Sequence, residues 1–237
     1  MVRGVPPIVH LHAGDCAAAV ARTSGLPGDV LAWRDSPAVG PCSRDRGRHM
    51  LQRAAFWDVD YTDLQRPEEL PGDHERALWF GPDPWEQLQL VELLAHLSDG
   101  PCSIVPLPRS VTAMTAAEQR LAFAARAPAE SLRFFAAALW FDYCDNDLPG
   151  LRLRIRRAAT DPRLPHLAAA LRRILQDRLE RRTEREVRAL VHAGVRELPA
   201  LMDALRAREL PTHGAWYGDT IVGRLRDAAL TESACPP

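Results

Sequence analysis

The chain has 237 residues and a mass of 26.3 kDa, enough for one large domain or two small ones to bury a core without disulfides or metals. Hydrophobic residues make up 46% of the sequence and charged residues 26%, which excludes disordered, collagenous and fibrous chains. All 30 basic residues are arginine. Because Ala and Pro are also abundant, we attribute the exclusive use of arginine to GC-rich codon usage before selection for guanidinium chemistry is considered.

The net charge of −1 conceals an asymmetry along the chain. Residues 1–150 carry 13 Arg and 20 acidic residues, whereas residues 151–210 carry 15 Arg and 8 acidic residues. A basic segment of this kind can contact nucleic acid or phosphate, and two docked halves of opposite charge explain the asymmetry equally well. We favour the docked halves.

The cysteines and the apolar runs bear on the cellular compartment. The five cysteines are scattered without a Cys-x-x-Cys pair, which argues against a disulfide framework and a structural zinc site. The N-terminal segment lacks the apolar core of a signal peptide, and the longest apolar run, residues 134–141, is too short to cross a bilayer. We therefore expect a cytoplasmic protein with no membrane partner.

The first hundred residues alternate short apolar segments with amphipathic ones, which is typical of a mostly parallel sheet covered by helices. A helix after the third strand has the clearest start signal, with Asp83 as N-cap, Pro84 at its first position and Glu86 three residues after the cap. The predicted strands are residues 8–12, 30–33, 77–80 and 103–107, and the other predicted helices are residues 16–22 and about 48–59.

Beyond Pro108 the sequence predicts no strand, and from about residue 115 it predicts helices. One of them is closed by Pro149 and Gly150. Thr183 and Glu186 form a capping box that opens another. The apolar face of the first is Leu132, Phe135, Leu139, Trp140 and Tyr143, and further helices are predicted over residues 167–182, 195–208 and 218–230.

The fold class predicted from these elements is α/β. A Rossmann-like, mostly parallel sheet forms the N-terminal half, and an all-α half with a final three-helix unit follows it. We place an α/β ligand-binding domain at residues 1–110 and a helical domain at residues 111–237.

Polar residues follow three successive predicted strands, at the sheet edge where ligands bind in open parallel sheets. Asp15 and Asp35 are the candidate acid–base groups, Arg34 is an anion clamp held by Asp35, and Gln87 orients the ligand. The complete set is His12, Gly14, Asp15 and Cys16 after the first strand, Arg34 and Asp35 after the second, and Asp83 and Gln87 after the third.

Several of these residues also have a purely structural explanation. Asp15 and Asp83 are explained as helix N-caps, and Arg34 with Asp35 as an ion pair at a strand end. Gly14 before a helix can hold an anion on backbone N–H groups, but the charge of Asp15 opposes a phosphate there. A buried Gln87 must meet either a backbone group or a ligand.

His10 and His12 share one face of the first strand and could bind a metal with Asp15. Such a pair is more often structural, so we predict no metal site. Cys16 near a helix start could be a nucleophile, although His12 is the only neighbouring base.

Separated blocks over residues 8–107 resemble a bacterial family, the domain of unknown function numbered eighteen thirty-five. In that family the first strand ends in Gly-Asp-Ser, the second in Trp-Arg-Asp or Trp-Arg-Glu before Glu-Gly-Pro, and the third reads Leu-Trp-Phe-Glu. The matching blocks are His12-Ala13-Gly14-Asp15-Cys16, Val30-Leu31-Ala32-Trp33-Arg34-Asp35, Gly40-Pro41, Leu78-Trp79-Phe80, Asp83 and Gln87-Leu88-Gln89-Leu90.

Three positions depart from the family pattern. Cys16 stands where Ser is usual, and Val39 and Gly81 stand where the family has acids. If those acids are catalytic in the relatives, the resemblance implies that the activity is lost or altered here. Because the family itself is uncharacterised, the resemblance bears on the fold more than on the function.

The C-terminal part resembles the helical tail often joined to this domain, through residues 182–186 and Tyr217-Gly218-Asp219. Its three helices also resemble a winged-helix unit that would present Thr220, Arg224 and Arg226 to DNA. Because Asp219 brings negative charge to the start of that helix, we favour a structural unit.

We therefore predict that the chain binds a small polar ligand at the strand ends, with phosphorylated and nucleotide-like molecules among the candidates. Hydrolysis or group transfer would suit these side chains, and the sequence leaves the cofactor unknown. The alternatives are a nucleic-acid-binding regulator that uses the basic segment, which is less favoured, and a protein-interaction module. The sequence indicates no oligomeric state.

Overall fold

The computed structural model describes residues 7–209 and 218–234. Its strands are β1 (Ile8–Ala13), β2 (Asp29–Trp33), β3 (Glu75–Trp79), β4 (Cys102–Ile104) and β5 (Ala127–Pro128). They form one sheet in the order β2-β1-β3-β4-β5, in which the first four strands are parallel and β5 is antiparallel to β4. The predicted α/β class, with a mostly parallel sheet in the N-terminal half, is confirmed.

A helix follows each parallel strand, as crossover connections require. Helices α1 to α4 are Gly14–Arg22, Arg46–Trp57, Pro84–His96 and Ala116–Ala124. Helices α5 to α10 are Arg133–Cys144, Leu148–Ala158, Leu167–Glu180, Arg182–His192, Leu198–Glu209 and Asp219–Ala234.

The sheet is covered on both faces because alternate residues of its strands join different cores. Val9 and Leu11 of β1 belong to the main core, which continues through α3, α5 and α7. Ile8 belongs to a second core with Ala17 of α1 and Ala122 of α4. Strand β1, between β2 and β3, is therefore buried along almost its whole length.

Helix α3 lies inside the protein, with nine of its 13 residues buried. It contacts α5 and α7 and shares the main core with β1 and β3. Its predicted start is confirmed, since Asp83 is the N-cap and its Oδ1 accepts a hydrogen bond from the Trp85 N–H at 2.8 Å. The main core contains residues from both sides of the predicted domain boundary between residues 110 and 111. The division into two domains stays a prediction.

Helices α8, α9 and α10 form the expected three-helix unit around a core of their own. That core contains Val187, Leu190, Val191, Leu201, Leu205, Val222 and Ala229. A buried arginine of α7, Arg173, connects the unit to the rest of the protein through Glu209 at the end of α9.

Two predicted helix boundaries are wrong, and so is the prediction that no strand follows Pro108. Pro149 and Gly150 lie in the first turn of α6, where Pro needs no backbone donor, because Asp147 caps that helix. The hydroxyl of Thr183 lies inside α8 and binds Arg173 and Asp177 instead of capping the helix. The C-terminal half is not all-α, because β5 adds two residues to the sheet edge.

Most ion pairs of the basic segment lie within the segment, although it contains only 8 acidic residues for its 15 Arg. Its ion pairs join residues such as Arg182 and Glu186, or Arg188 and Glu184, one helical turn apart. Arg154 is an exception, because it reaches Asp142 at 2.8 Å in the acidic part of the chain. The expected pairing of two oppositely charged halves is therefore wrong for most of these ion pairs.

Replacing Arg173 by Leu should lower the free energy of unfolding by about 3–5 kcal/mol, because Glu209 would keep a buried charge without its guanidinium. The two side chains are 0% and 3% exposed, and Arg182, whose Nη2 is 3.8 Å from Glu209, cannot replace the two-pronged contact. Urea unfolding followed by circular dichroism measures the change. Arg172→Ala, at an exposed position of the same helix, should stay within about 0.5 kcal/mol, and an equally small loss for Arg173→Leu would contradict the prediction.

Candidate functional site

A cleft of about 710 Å³ opens at the carboxyl ends of β1 and β2. Gly14 follows β1, and Trp33 and Arg34 lie at the end of β2. The first turns of α3 form a second wall, and the three-helix unit forms the third. The cleft therefore lies where the polar residues after successive strands were expected to meet.

Two carboxyl groups at the start of α3, Asp83 and Glu86, line the cleft. Burial raises the pKa of Asp83 well above its ordinary value, and the neighbouring Glu86 raises it further. Burial also raises the pKa of Glu86 to about 7, although the Gly81 N–H donates a hydrogen bond to its Oε2. Glu86 can therefore give or accept a proton near neutral pH.

The buried amide of Gln89 lines the cleft between these carboxyl groups and β2. Its Nε2 donates to the carbonyl oxygens of Trp33 at 3.2 Å and of Asp35 at 2.6 Å. Its Oε1 and the indole Nε1 of Trp33 are buried and have no hydrogen-bond partner in the described part of the chain. One acceptor and one donor at the cleft are thus unsatisfied.

The third wall comes from α9 and the start of α10. Leu198, Pro199 and Met202 give it an apolar surface, and Asp203 and Arg206 add an exposed ion pair at 3.5 Å. Asp219 at the start of α10 adds a further carboxylate. The cleft thus has an apolar side and several acidic groups.

Four of the predicted site residues line this cleft: Gly14, Cys16, Arg34 and Asp83. Gly14 begins α1 with φ +77°, a left-handed conformation that favours glycine. Cys16 is exposed in the same helix. The structure therefore brings together the residues after all three strands, while the other four predicted residues lie elsewhere.

Arg34 binds Asp15, and the expected pairing of Arg34 with Asp35 is wrong. The guanidinium contacts both carboxylate oxygens of Asp15 at 3.0–3.1 Å, and both side chains are about two-thirds exposed. This contact holds the pKa of Asp15 below its ordinary value. Asp15 is also not the helix N-cap, since Ala13 occupies that position.

Asp35 turns away from Arg34 toward α2, where the buried Arg53 donates to both of its oxygens. The indole Nε1 of Trp57 donates a further hydrogen bond at 2.7 Å. Arg53 also binds carbonyl oxygens of the loop after β2, among them that of Ser36 at 2.7 Å. The acid–base role of Asp35 stays a prediction, and these contacts favour a structural role.

His12 and Gln87 are buried outside the cleft lining. The His12 ring stacks on Trp79 at 5.1 Å, and burial lowers its pKa to about 3. The Nε2 of Gln87 donates to the carbonyl oxygens of Phe80 and Gly81, while its Oε1 has no partner in the described residues. Gln87 thus meets backbone groups, the structural alternative considered for it.

The sequence analysis missed Gln89, although it lies two residues after Gln87 on α3. Assigning one inward face to α3 left Gln89 out, because neighbours two apart do not share a helix face. Since α3 is buried on most sides, its other face reaches the cleft as well. The position of Gln89 between the apolar residues Leu88 and Leu90 was the available signal.

Asp35, His49 and Glu92 place their ligand atoms within 4.8 Å of one another, a spacing that could hold a metal ion. Arg53 already binds Asp35, and Arg46 binds Glu92 at 3.1 Å. A divalent cation would compete with both guanidinium groups for the same carboxylates. The cluster therefore fits an internal ion-pair network better than a metal centre.

The residues considered for DNA contact meet partners within the protein. Arg224 lies over the Phe56 ring at 5.4 Å, and Arg226 pairs with Asp227 at 2.8 Å. The Thr220 N–H donates to Asp219 at 2.7 Å. Tyr217, part of the family resemblance, lies outside the described residues.

Comparisons with protein-family models, curated proteins and solved structures find no match. The resemblance to the domain of unknown function therefore stays a prediction. None of the helices in residues 7–209 and 218–234 has the length and apolar character needed to span a membrane.

Glu86→Gln should remove part of the pH dependence of stability. An acid whose pKa rises on folding binds its proton more tightly in the folded state, so the wild type loses stability as pH rises from about 4.5 to about 7. The variant keeps an oxygen for the Gly81 N–H and loses the titration. Its melting temperature relative to the wild type should therefore rise between about pH 5 and about pH 8, as measured by calorimetry.

Glu197→Gln, at an exposed position, is the matched control and should follow the wild type at both pH values. Asp83 is present in all three proteins, but loss of the Glu86 charge lowers its pKa in Glu86→Gln, which changes the temperature difference in the same direction. An equal temperature difference between Glu86→Gln and the wild type at both pH values would contradict the prediction.

Proposed function

We propose that the protein binds a small polar ligand with a flat ring at the strand-end cleft, and that nucleosides and their bases are the ligand class. The observation that carries this proposal is that two residues of the cleft lining have a buried polar atom without a partner among the described residues, Gln89 Oε1 and Trp33 Nε1. The edges of nucleobases present both donors and acceptors, the two kinds of group that these atoms lack.

The apolar lining supports a flat ligand. Trp33 and Trp85 line the cleft together with Pro199 and Met202 of α9. Aromatic and thioether side chains pack well against heterocyclic rings. A sugar or an extended peptide would leave much of this surface without a matching partner.

The strand order supports a Rossmann-like reading of the sheet. In the order β2-β1-β3-β4, the chain first adds β2 on one side of β1 and then crosses over to add β3 on the other side. The direction in which strands are added therefore reverses between β1 and β3. Ligands of doubly wound sheets bind beyond the carboxyl ends of the strands at such a point. Gly14 and Asp83 follow the two strands concerned, and both line the cleft.

The charges favour an unphosphorylated ligand over a phosphorylated one. Arg34 and Arg206 line the cleft, but Asp15 and Asp203 already bind them. Asp219 adds a further negative charge without a guanidinium of its own in the lining. A phosphate would therefore have to displace a carboxylate before it gained a cation.

An enzymatic function would use Glu86 as its acid–base group, because burial places its pKa at about 7. Hydrolysis or group transfer on the bound ring is the reaction class that this group suits. Incubation of the protein with each bound nucleoside, followed by chromatography of the products, distinguishes an enzyme from a binding protein.

The proposal is tested by calorimetric titration of the full chain with nucleosides, nucleoside monophosphates, sugar phosphates, Mg²⁺ and a short DNA duplex. We expect nucleosides to bind more tightly than their monophosphates. Trp85→Leu should weaken nucleoside binding by about tenfold or more, because base stacking on an aromatic ring contributes roughly 1–3 kcal/mol. Phe134→Leu removes an aromatic ring that is 90% exposed outside the cleft lining, and should leave binding unchanged.

Arg34→Ala separates the two ligand types. It should leave nucleoside binding within about threefold of the wild type, since the ring contacts lie elsewhere in the cleft. Loss of monophosphate binding alone would place the phosphate at Arg34 and contradict the expectation that Asp15 keeps phosphate away from it. Binding of the DNA duplex alone, or equal nucleoside binding by Trp85→Leu and the wild type, would overturn the proposal.

A further inference from the structure

Two cysteines that are far apart in sequence meet beside helix α7. Cys42, in the loop after β2, and Cys144, the last residue of α5, both pack against the main core, and Arg178 contacts both Cys42 and the carbonyl oxygen of Tyr143, the residue before Cys144. The two thiols are near enough to shift each other's pKa. Both thiols are free and partly buried. They are therefore close to each other and open in part to small reagents.

An arginine completes this cluster. Arg178 of α7 places its Nη2 3.6 Å from the Cys42 sulfur. Its Nη1 binds the carbonyl oxygen of Tyr143 at 2.8 Å and the Asn146 side chain at 2.6 Å, and its guanidinium lies 3.6 Å above the Tyr143 ring. The guanidinium is thus fixed from several sides with one edge on the sulfur.

The two thiols have unequal acidity. The contact with Cys144 and the charge of Arg178 lower the pKa of Cys42 to about 6. The same contact and burial raise the pKa of the Cys144 thiol. Cys42 is therefore the more acidic thiol, and the guanidinium of Arg178 lies on its sulfur, as in pairs with one attacking and one resolving cysteine.

A metal site explains this cluster less well. Structural zinc needs four ligands, usually cysteine and histidine. In residues 7–209 and 218–234, no third Cys, His, Asp or Glu brings a ligand atom into one metal-sized group with the two sulfurs. The adjacent cation, Arg178, would also repel a bound metal ion.

We propose that Cys42 and Cys144 form a redox site that reduces a hydroperoxide and closes a disulfide between the loop after β2 and helix α5. The Cys42 thiolate attacks a peroxide oxygen, the O–O bond breaks, and the leaving oxygen takes a proton to become water or an alcohol. Cys144 then attacks the resulting sulfenic sulfur. The S–S bond forms, and the hydroxyl leaves as water with the Cys144 proton, so two thiols are oxidised and one peroxide is reduced.

The test uses the full reduced chain and hydrogen peroxide, followed by alkylation, trypsin digestion and mass spectrometry. Cleavage after arginine places Cys42 on the peptide of residues 35–44 and Cys144 on that of residues 134–152. We expect these two peptides to be linked, and dithiothreitol to release them. Cys16, exposed in the same molecule, is the internal control and should oxidise at least about tenfold more slowly than Cys42.

Two variants separate the roles within the pair. Cys144→Ser should stop the reaction at a sulfenic acid on Cys42, which dimedone labels on the peptide of residues 35–44. Arg178→Gln should slow oxidation of Cys42 by about tenfold, since the cation no longer favours the thiolate. Circular dichroism checks that both variants are folded. If a variant does not fold, the peptide map of the wild type still tests the proposal.

The proposal is overturned if Cys42 oxidises no faster than Cys16, or if Cys42 links to another cysteine. It is equally overturned if peroxide gives sulfinic acid on Cys42 without any linked peptide. These outcomes do not depend on the ligand of the strand-end cleft.

Discussion

Helix α3 is buried on most sides, and its polar side chains must therefore find partners inside the protein. Gln87 binds the backbone beyond β3, Gln89 binds the end of β2, and Glu92 binds His49 and Arg46 of α2. A buried polar group without a partner costs free energy, so each contact fixes the segment that supplies it. The ends of two strands and the helix beside them are thus held in place by one element.

The chemistry of the cleft follows from the same burial. The carboxyl groups at the start of α3 are largely shielded from water, and this raises their pKa values. Gln89 satisfies only its amide N–H groups through the end of β2, which leaves its oxygen for another partner. The cleft therefore combines groups that hold protons with groups that lack hydrogen bonds.

Local patterns in the sequence predicted most of the fold. The first three strands lie within two residues of their predicted positions, and Asp83 starts α3 as its cap predicts, because these features depend on neighbouring residues. The two-residue strand β5 has too few residues to show any pattern. Thr183 was misassigned because it meets a buried arginine of the preceding helix, a contact that spacing does not reveal.

The sequence predicted the position of the candidate site better than it predicted the residues that line it. Polar residues after three strands do meet at one cleft, since parallel strands end at the same edge. The partner of Asp35 is Arg53, 18 residues along the chain, and no local rule selects it over the adjacent Arg34. The wall from α9 and α10 depends on how the three-helix unit packs, which the sequence pattern does not specify.

The absence of lysine has a consequence for the loop after β2. Arg53 is fully buried and serves Asp35 together with the carbonyl oxygens of Ser36, Val39 and Pro41. A guanidinium has five N–H donors in one plane, whereas an ammonium has three at a single point. The loop after β2 thus depends on arginine at position 53, because lysine could preserve the charge there but could not reach so many acceptors at once.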